Sequence, residues 1–392
     1  MKKIQEQKDE REMVDVLSMS QKIYQPSNEI KKRAIIKDDE AVRKQAGRNP
    51  IKFWETAAQD LVWFKQWQKV FDDSQKPFFK WFVGGKCNLA YNAVDRHIQS
   101  DKKNKIAILW EDETGRTRKY TYLELYKEIN KLANALREIG VKKHDRVAIY
   151  LPNIPEIAIV MLACVKIGAI HSVVYAGFSA VALADRIKDA RAKILFTADG
   201  SFRRGKVIDL KKIVDEAIKK CKFVKKVIVV KNNKEKINFN KKKDVWYNDF
   251  IKGKSEEAEC ARMDAEDPAF VLYTSGTTSK PKGVVHVHGG YMVGVLRTIK
   301  WVFDLKGDEI FWCTADPGWI TGHSYIIYGP LLAGITTVMY EGMPDTPKPD
   351  RIWRVIEKYK VNILYTAPTL IRAIMKYGDS WPDKYEMKSL RI

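Results

Sequence analysis

From Ile106 onward, short apolar runs alternate with longer amphipathic stretches, and this alternation restricts the fold more than any other feature of the chain. Residues 106–110 read as a strand. Thr121-Tyr-Leu-Glu124 is a capping box, and the apolar positions Leu125, Ile129, Leu132, Leu136 and Ile139 behind it share one helical face. Gly140 then stands where a helix closes on a left-handed residue. Further strands are expected over 147–151, 172–175, 194–197 and 227–230, with helices between them. The pattern resumes with strands over 270–273, 310–314, 336–340 and 363–365, and with helices from Gly290 and over 351–358. Strands separated by helices of this length make βαβ units. The expected fold class is therefore α/β, with mainly parallel sheets flanked by helices.

Ahead of this pattern, residues 1–52 are charged and poor in aromatics, and are expected to form an extended or helical N-terminal arm. Residues 53–104 are aromatic-rich, from Phe53 and Trp54 to Tyr91, which is the composition of a packed lobe. A chain of 392 residues, 45% of them apolar, can bury more than one core.

The net charge of +21 comes from 70 basic and 49 acidic residues and admits nucleic acid, membrane surfaces or small anions as partners. Its densest run, Lys231–Asp244, has the Lys/Asn bias of a solvated loop and no stacking aromatics or basic helix, so a nucleic-acid partner is not expected. The most apolar stretch, 154–178, is broken by Glu156, Lys166 and His171, so a buried helix and strand are expected rather than a membrane span. The N-terminus alternates in sign without an apolar segment, which argues against a secretory signal. Five scattered cysteines, odd in number and without a C-x-x-C pair, suit a reducing compartment, the cytoplasm. The six histidines form no metal-binding spacing, and no metal site is expected.

Thr274 to Gly283 reads T-S-G-T-T-S-K-P-K-G, directly after an expected strand. Ligands of open α/β sheets bind at such a carboxyl end. The loop does not fit G-x-x-x-x-G-K-[ST], because Pro281 falls where glycine is needed and carries no N–H. Its hydroxyls, glycines and Lys280 could still hold the outer phosphates of ATP while the α-phosphate is attacked. A plain Ser/Thr/Gly surface turn is the alternative.

This loop resembles the phosphate loop of the adenylate-forming superfamily, with Ser279 at a usual glycine position. A second stretch, T-A-D-P-G-W-I-T-G-H-S-Y from Thr314, is similar to AMP-forming acetyl-CoA synthetases, as are H-S-V-V-Y-A-G-F-S from His171, N-I-L-Y-T-A-P-T from Asn362 and N-L-A-Y-N-A-V-D-R-H from Asn88. The resemblance covers about Phe53 to Ile392. It implies the large N-terminal domain of that fold in a layered αβαβα arrangement, with 53–104 as the synthetases' N-terminal lobe and 105–392 as the AMP-binding domain. It puts Thr274, Ser275, Gly276, Thr277, Thr278, Ser279 and Lys280 on the ATP phosphates, with Lys280 catalytic. Trp319, Ile320 and Thr321 would line the acetate pocket. The turn Arg203-Arg204-Gly205-Lys206, together with Thr321 and Asp345, would meet CoA. Lys206 stands at a usual arginine, and Asp345 at a usual asparagine.

The implied activity is that of an acetate–CoA ligase using ATP, Mg²⁺ and CoA, with acetyl-AMP as intermediate. The family's adenine segment, hinge and small C-terminal domain would follow Ile392, so the chain is expected to be an inactive N-terminal fragment. Propionate or another short-chain acid is the alternative substrate, and non-catalytic nucleotide or CoA binding the alternative role.

Overall fold

In the computed structural model, which describes residues 25–274, 281–378 and 380–392, the Thr121 capping box opens the helix Tyr122–Glu138. The Glu124 N–H donates to the Thr121 hydroxyl at 3.2 Å, and the Glu124 carboxylate accepts the Thr121 N–H at 2.8 Å. Leu125, Ile129, Leu132 and Leu136 are buried, and Gly140 takes φ +83° just beyond the helix. The next helix, Pro155–Lys166, is buried on every side. That explains why its sequence is a near-continuous apolar run rather than a stripe. Its one cation, Lys166, pairs with Asp95 and lies 4.9 Å from the centre of the Tyr126 ring.

The strands are, in chain order, β1 (Lys69–Asp72), β2 (Lys80–Val83), β3 (Lys86–Cys87), β4 (Ile106–Asp112), β5 (Thr117–Thr121) and β6 (Arg146–Tyr150). There follow β7 (Ile170–Val173), β8 (Ile194–Ala198), β9 (Ser201–Arg203), β10 (Lys206–Ile208), β11 (Lys226–Val230) and β12 (Asp244–Trp246). The last are β13 (Met263–Asp264), β14 (Pro268–Thr274), β15 (Lys282–Val287), β16 (Ile310–Cys313), β17 (Thr336–Glu341) and β18 (Ile363–Tyr365).

Two large sheets result. One has seven strands in the order β12-β11-β8-β6-β7-β14-β15, and the other five in the order β18-β16-β17-β4-β5. Every neighbouring pair is parallel except β14–β15 and β4–β5, which are antiparallel. The expected α/β class with largely parallel sheets is thus the one observed.

Both antiparallel edges are additions to the sequence reading. β5 (T-R-K-Y-T) is charged and mostly half-exposed, so it carries little of the apolar signal that marks a strand. β15 pairs back on β14 with Thr274 opposite Lys282, so the strand ending at Thr274 is one arm of a hairpin. Ser275–Lys280, the centre of the expected phosphate loop, lie outside the described residues.

The described residues up to Lys44 and those from Gln45 onward form separate units. In the first, the helix Asn28–Arg33 is capped by Ser27, whose hydroxyl accepts the Ile30 N–H. In the second, the aromatic-rich stretch packs as a lobe: Trp63, Trp67 and Phe82 have ring centres 4.8–5.2 Å apart. The Trp81 N–H donates to Glu266 at 2.7 Å, tying this lobe to the segment just ahead of β14. A separate core of Trp312, Val338, Ile352, Val355, Ile356 and Val361 joins the five-stranded sheet to the helix Arg351–Tyr359. Among the described residues no helix is long and apolar enough to cross a membrane.

Candidate active site

At the carboxyl ends of both sheets lies a cavity of about 380 Å³. One wall is built from Asn153 after β6, Tyr175–Gly177 after β7 and the β9–β10 hairpin. The other comes from Thr314–Asp316 after β16, Gly342–Asp345 after β17 and the segment after β18. Crevices at strand carboxyl ends are where α/β sheets hold ligands, because the loops there diverge.

The R-R-G-K turn is the two-residue connection of the β9–β10 hairpin, with Arg203 opposite Lys206. Arg204 and Gly205 take φ +52° and +71°, the pair of left-handed values that a type I′ hairpin turn needs. Glycine accepts that conformation freely, whereas Arg204 holds it against its own side chain. Arg203 donates to the Tyr175 hydroxyl at 2.9 Å. Arg204 reaches the Asp345 carboxylate at 3.5 Å, and the Tyr377 hydroxyl donates to the same carboxylate at 3.3 Å. Asp345 therefore already has a cationic partner within the turn. Arg203, Arg204 and Asp345 line the cavity; Gly205, Lys206, Trp319, Ile320 and Thr321 are not among its lining residues.

The A-D-P-G-W turn presses directly on the Y-A-G-F segment. A Cβ at Gly318 would lie 2.8 Å from the Tyr175 backbone, so only glycine permits this approach. Asp316 holds the turn shut: its carboxylate accepts the Gly318 N–H at 2.7 Å and its carbonyl the Trp319 N–H at 3.0 Å. Burial pushes the Asp316 carboxyl up to about 6, against the Gly318 N–H and Arg203, which favour its charged form. Trp319 and Ile320 are 47% and 44% exposed at the start of a short helix, Ile320–Gly322. A π-helical turn, His323–Tyr328, follows.

The Trp319 ring packs against Tyr175 and Phe178, each with its ring centre 6.1 Å away. The Arg186 guanidinium then bridges Phe178, at 4.5 Å, and Tyr273, at 5.9 Å, next to Thr274. A continuous line of contacts, Arg203–Tyr175–Trp319–Phe178–Arg186–Tyr273, thus joins four separate stretches of the sequence. Beneath it, His171 and His323 stack at 5.4 Å, and the Tyr328 hydroxyl meets His171 Nε2 at 2.6 Å. Burial pushes His323 down to about 3, so this ring is neutral and acts as packing.

Three carboxylates around the cavity went unassigned in the sequence. Glu113 accepts the N–H groups of Arg204, Gly205 and Met343. Glu341, at the end of β17, accepts from the Phe202 N–H and from Asn232. Asp199 accepts the N–H groups of Gly200, Asn232 and Asn233. The acidic run Glu111-Asp112-Glu113 was the only local signal, and nothing in it tells which carboxylate faces the turn. Among the described residues no group of three or more His, Cys, Asp or Glu side chains is arranged to hold a metal ion.

The AMP-binding enzyme family matches residues 94–392, and the chain belongs to that family. The acetyl-coenzyme A synthetase N-terminus matches residues 39–93. The chain is 49% identical over 371 residues to the acetyl-coenzyme A synthetase of Methanothrix thermoacetophila, covering 94% of this chain and 56% of that protein. It is 51% identical over 360 residues to the same enzyme of Pyrobaculum aerophilum, with 89% and 54% covered. With that of Deinococcus radiodurans it shares 48% over 382 residues, with 97% and 59% covered. The chain thus spans between half and two thirds of the length of these curated relatives.

Proposed function

We propose that this protein is a ligase that activates acetate with Mg–ATP and passes the acetyl group to CoA. The observation that carries this reading is the line of contacts from Arg203 through Trp319 to Tyr273. It sets the proposed CoA turn, the acyl turn and the base of the proposed phosphate loop side by side.

Acetate is a poor electrophile, so its oxygen first attacks the α-phosphorus, forming acetyl-AMP and releasing pyrophosphate. The CoA sulfur then attacks the acetyl carbon, the carbon–oxygen bond to AMP breaks, and the thiol gives up its proton. Lys280 and the loop hydroxyls would neutralise charge that grows on the phosphates, and holding the reactants in line supplies much of the remaining rate. Arg203 and Arg204 suit the terminal phosphate of CoA, because each guanidinium presents a fork of donors. The five cysteines are free, which fits a reducing cytoplasm.

The test is a chimera in which residues 1–392 are followed by the remaining length of the Methanothrix relative. Acetate-dependent exchange of pyrophosphate into ATP is the readout. Lys280→Ala is expected to lower that exchange by about 10²-fold. Unchanged exchange in the variant would sink the assignment of the loop, and exchange that ignores acetate would sink the reaction.

Ile320→Ala in the same chimera is expected to shift the acid preference towards propionate. Removing a branched wall should favour the extra methylene by about 1–3 kcal/mol in relative kcat/KM. An unaltered acetate-to-propionate ratio would show that Ile320 lies outside the acyl pocket.

A further inference from the structure

We infer that Glu113 is the positioning residue that sets the Arg203–Lys206 turn in register with the opposite wall of the cavity. This inference rests on the proposal that the turn meets the terminal phosphate of CoA.

Glu113 follows β4 in the five-stranded sheet, and it is only 4% exposed. Its own backbone is fixed at both ends. The Glu113 N–H donates to the Glu341 carbonyl at 3.0 Å, and the Glu113 carbonyl accepts from the Arg351 guanidinium at 3.1 Å. Its carboxylate then takes three backbone donors. The Arg204 N–H reaches Oε2 at 2.8 Å, the Gly205 N–H reaches Oε1 at 2.9 Å, and the Met343 N–H reaches Oε2 at 2.9 Å. Two of these donors belong to the hairpin tip and the third to the segment after β17. One side chain therefore ties the proposed phosphate-binding turn to the facing wall.

The surroundings leave room for this carboxylate and little else. Gly342 sits at φ +125°, and a Cβ there would come within 2.0 Å of the Glu113 side chain. The Arg204 side chain is 62% exposed, so its pairing with Asp345 is weakened by solvent. Successive N–H groups of a turn can line one concavity that captures an anion. Here that concavity is filled by the protein's own anion. The Arg204 and Gly205 amides are occupied, so a phosphate would be read by the side chains of the turn, whose spacing the carboxylate maintains.

Equilibrium binding of CoA and of dephospho-CoA to the 392-residue chain tests this, because the two ligands differ only in the terminal phosphate. The wild-type chain is expected to prefer CoA. Glu113→Gln keeps the size of the side chain but removes its charge and turns an amide towards the backbone donors. It is expected to lose about tenfold of that preference, through weaker binding of CoA alone, in line with the strength of charge-assisted hydrogen bonds. Glu113→Asp, which keeps the charge one methylene further back, should fall between the two. It also carries the test if the glutamine variant does not fold. A wild-type chain without preference would overturn the assignment of the turn itself. Preference retained in a folded variant would overturn the role of Glu113 alone. Equal loss of both ligands would mark a merely structural role and overturn it as well.

Discussion

Glu111→Ala is expected to destabilise the chain by about 3–5 kcal/mol, the usual cost of stripping one partner from a buried ion pair. The Glu111 carboxylate accepts from Arg351 at 2.6 Å, Lys358 at 2.5 Å and the Tyr359 hydroxyl at 2.7 Å. Glu111 and Arg351 side chains are 2% and 5% exposed, so water cannot replace the lost charge. The Arg351 guanidinium would stay buried and, among the described residues, keep its bond to the Glu113 carbonyl alone. The helix Arg351–Tyr359 would loosen from the strand it packs on, since all three partners lie on it. Urea unfolding of the wild type and variant at neutral pH measures the difference. A loss below about 1 kcal/mol, the range of a surface pair, would show that the network contributes little.

The second large effect depends on pH. Glu341 is 1% exposed, its Oε1 accepts from Phe202 and Asn232, and its Oε2 is buried without a partner among the described residues. Burial pushes this carboxyl up to about 7; Asp112 nearby adds to the rise, while the two hydrogen bonds and Arg116 oppose it. A carboxyl with a higher pKa in the fold than in the unfolded chain holds its proton more tightly when folded. Its stabilising contribution is complete below the unfolded pKa, near 4.5, and is lost as pH rises through about 7.

Glu341→Gln keeps the accepting oxygen and abolishes the titration. Relative to this variant, the wild type should lose about 3 kcal/mol between pH 4 and pH 8, at 1.36 kcal/mol for each unit of raised pKa. Urea midpoints at several pH values provide the curve. A difference between the two proteins that does not change with pH would show that Glu341 ionises freely in the fold.

Local chemistry made much of the fold legible. The Thr121 capping box and its apolar stripe depend on residues three and four apart, so they can be read before anything packs. The central parallel strands are mostly apolar because they are covered on both faces, and such runs are also legible locally. Edge strands β5 and β15 escaped because half-exposed strands carry mixed residues. In the site, the turns around Arg203 and Trp319 were visible as motifs, since their glycines answer to nearby backbone. Asp316, which holds the Trp319 turn, stood inside its motif, but the carboxylates that fix the Arg203 turn were not visible. Glu113 meets Arg204 and Met343, and Glu341 meets Asn232, across separations that no spacing rule encodes.

The strand order also sets when the cavity can form on the ribosome. β4 lies between β5, its neighbour in sequence, and β17, which is made more than two hundred residues later. At about 5–20 residues per second, the β4–β5 hairpin waits roughly 10–45 s for the strand that completes its other edge. During that interval the seven-stranded sheet can close, as its last strand ends at Val287. Glu113 emerges early yet acquires the Met343 N–H only after more than two hundred further residues are made. The cavity thus cannot form before β17 is made, and the nascent chain carries an open β4 edge until then.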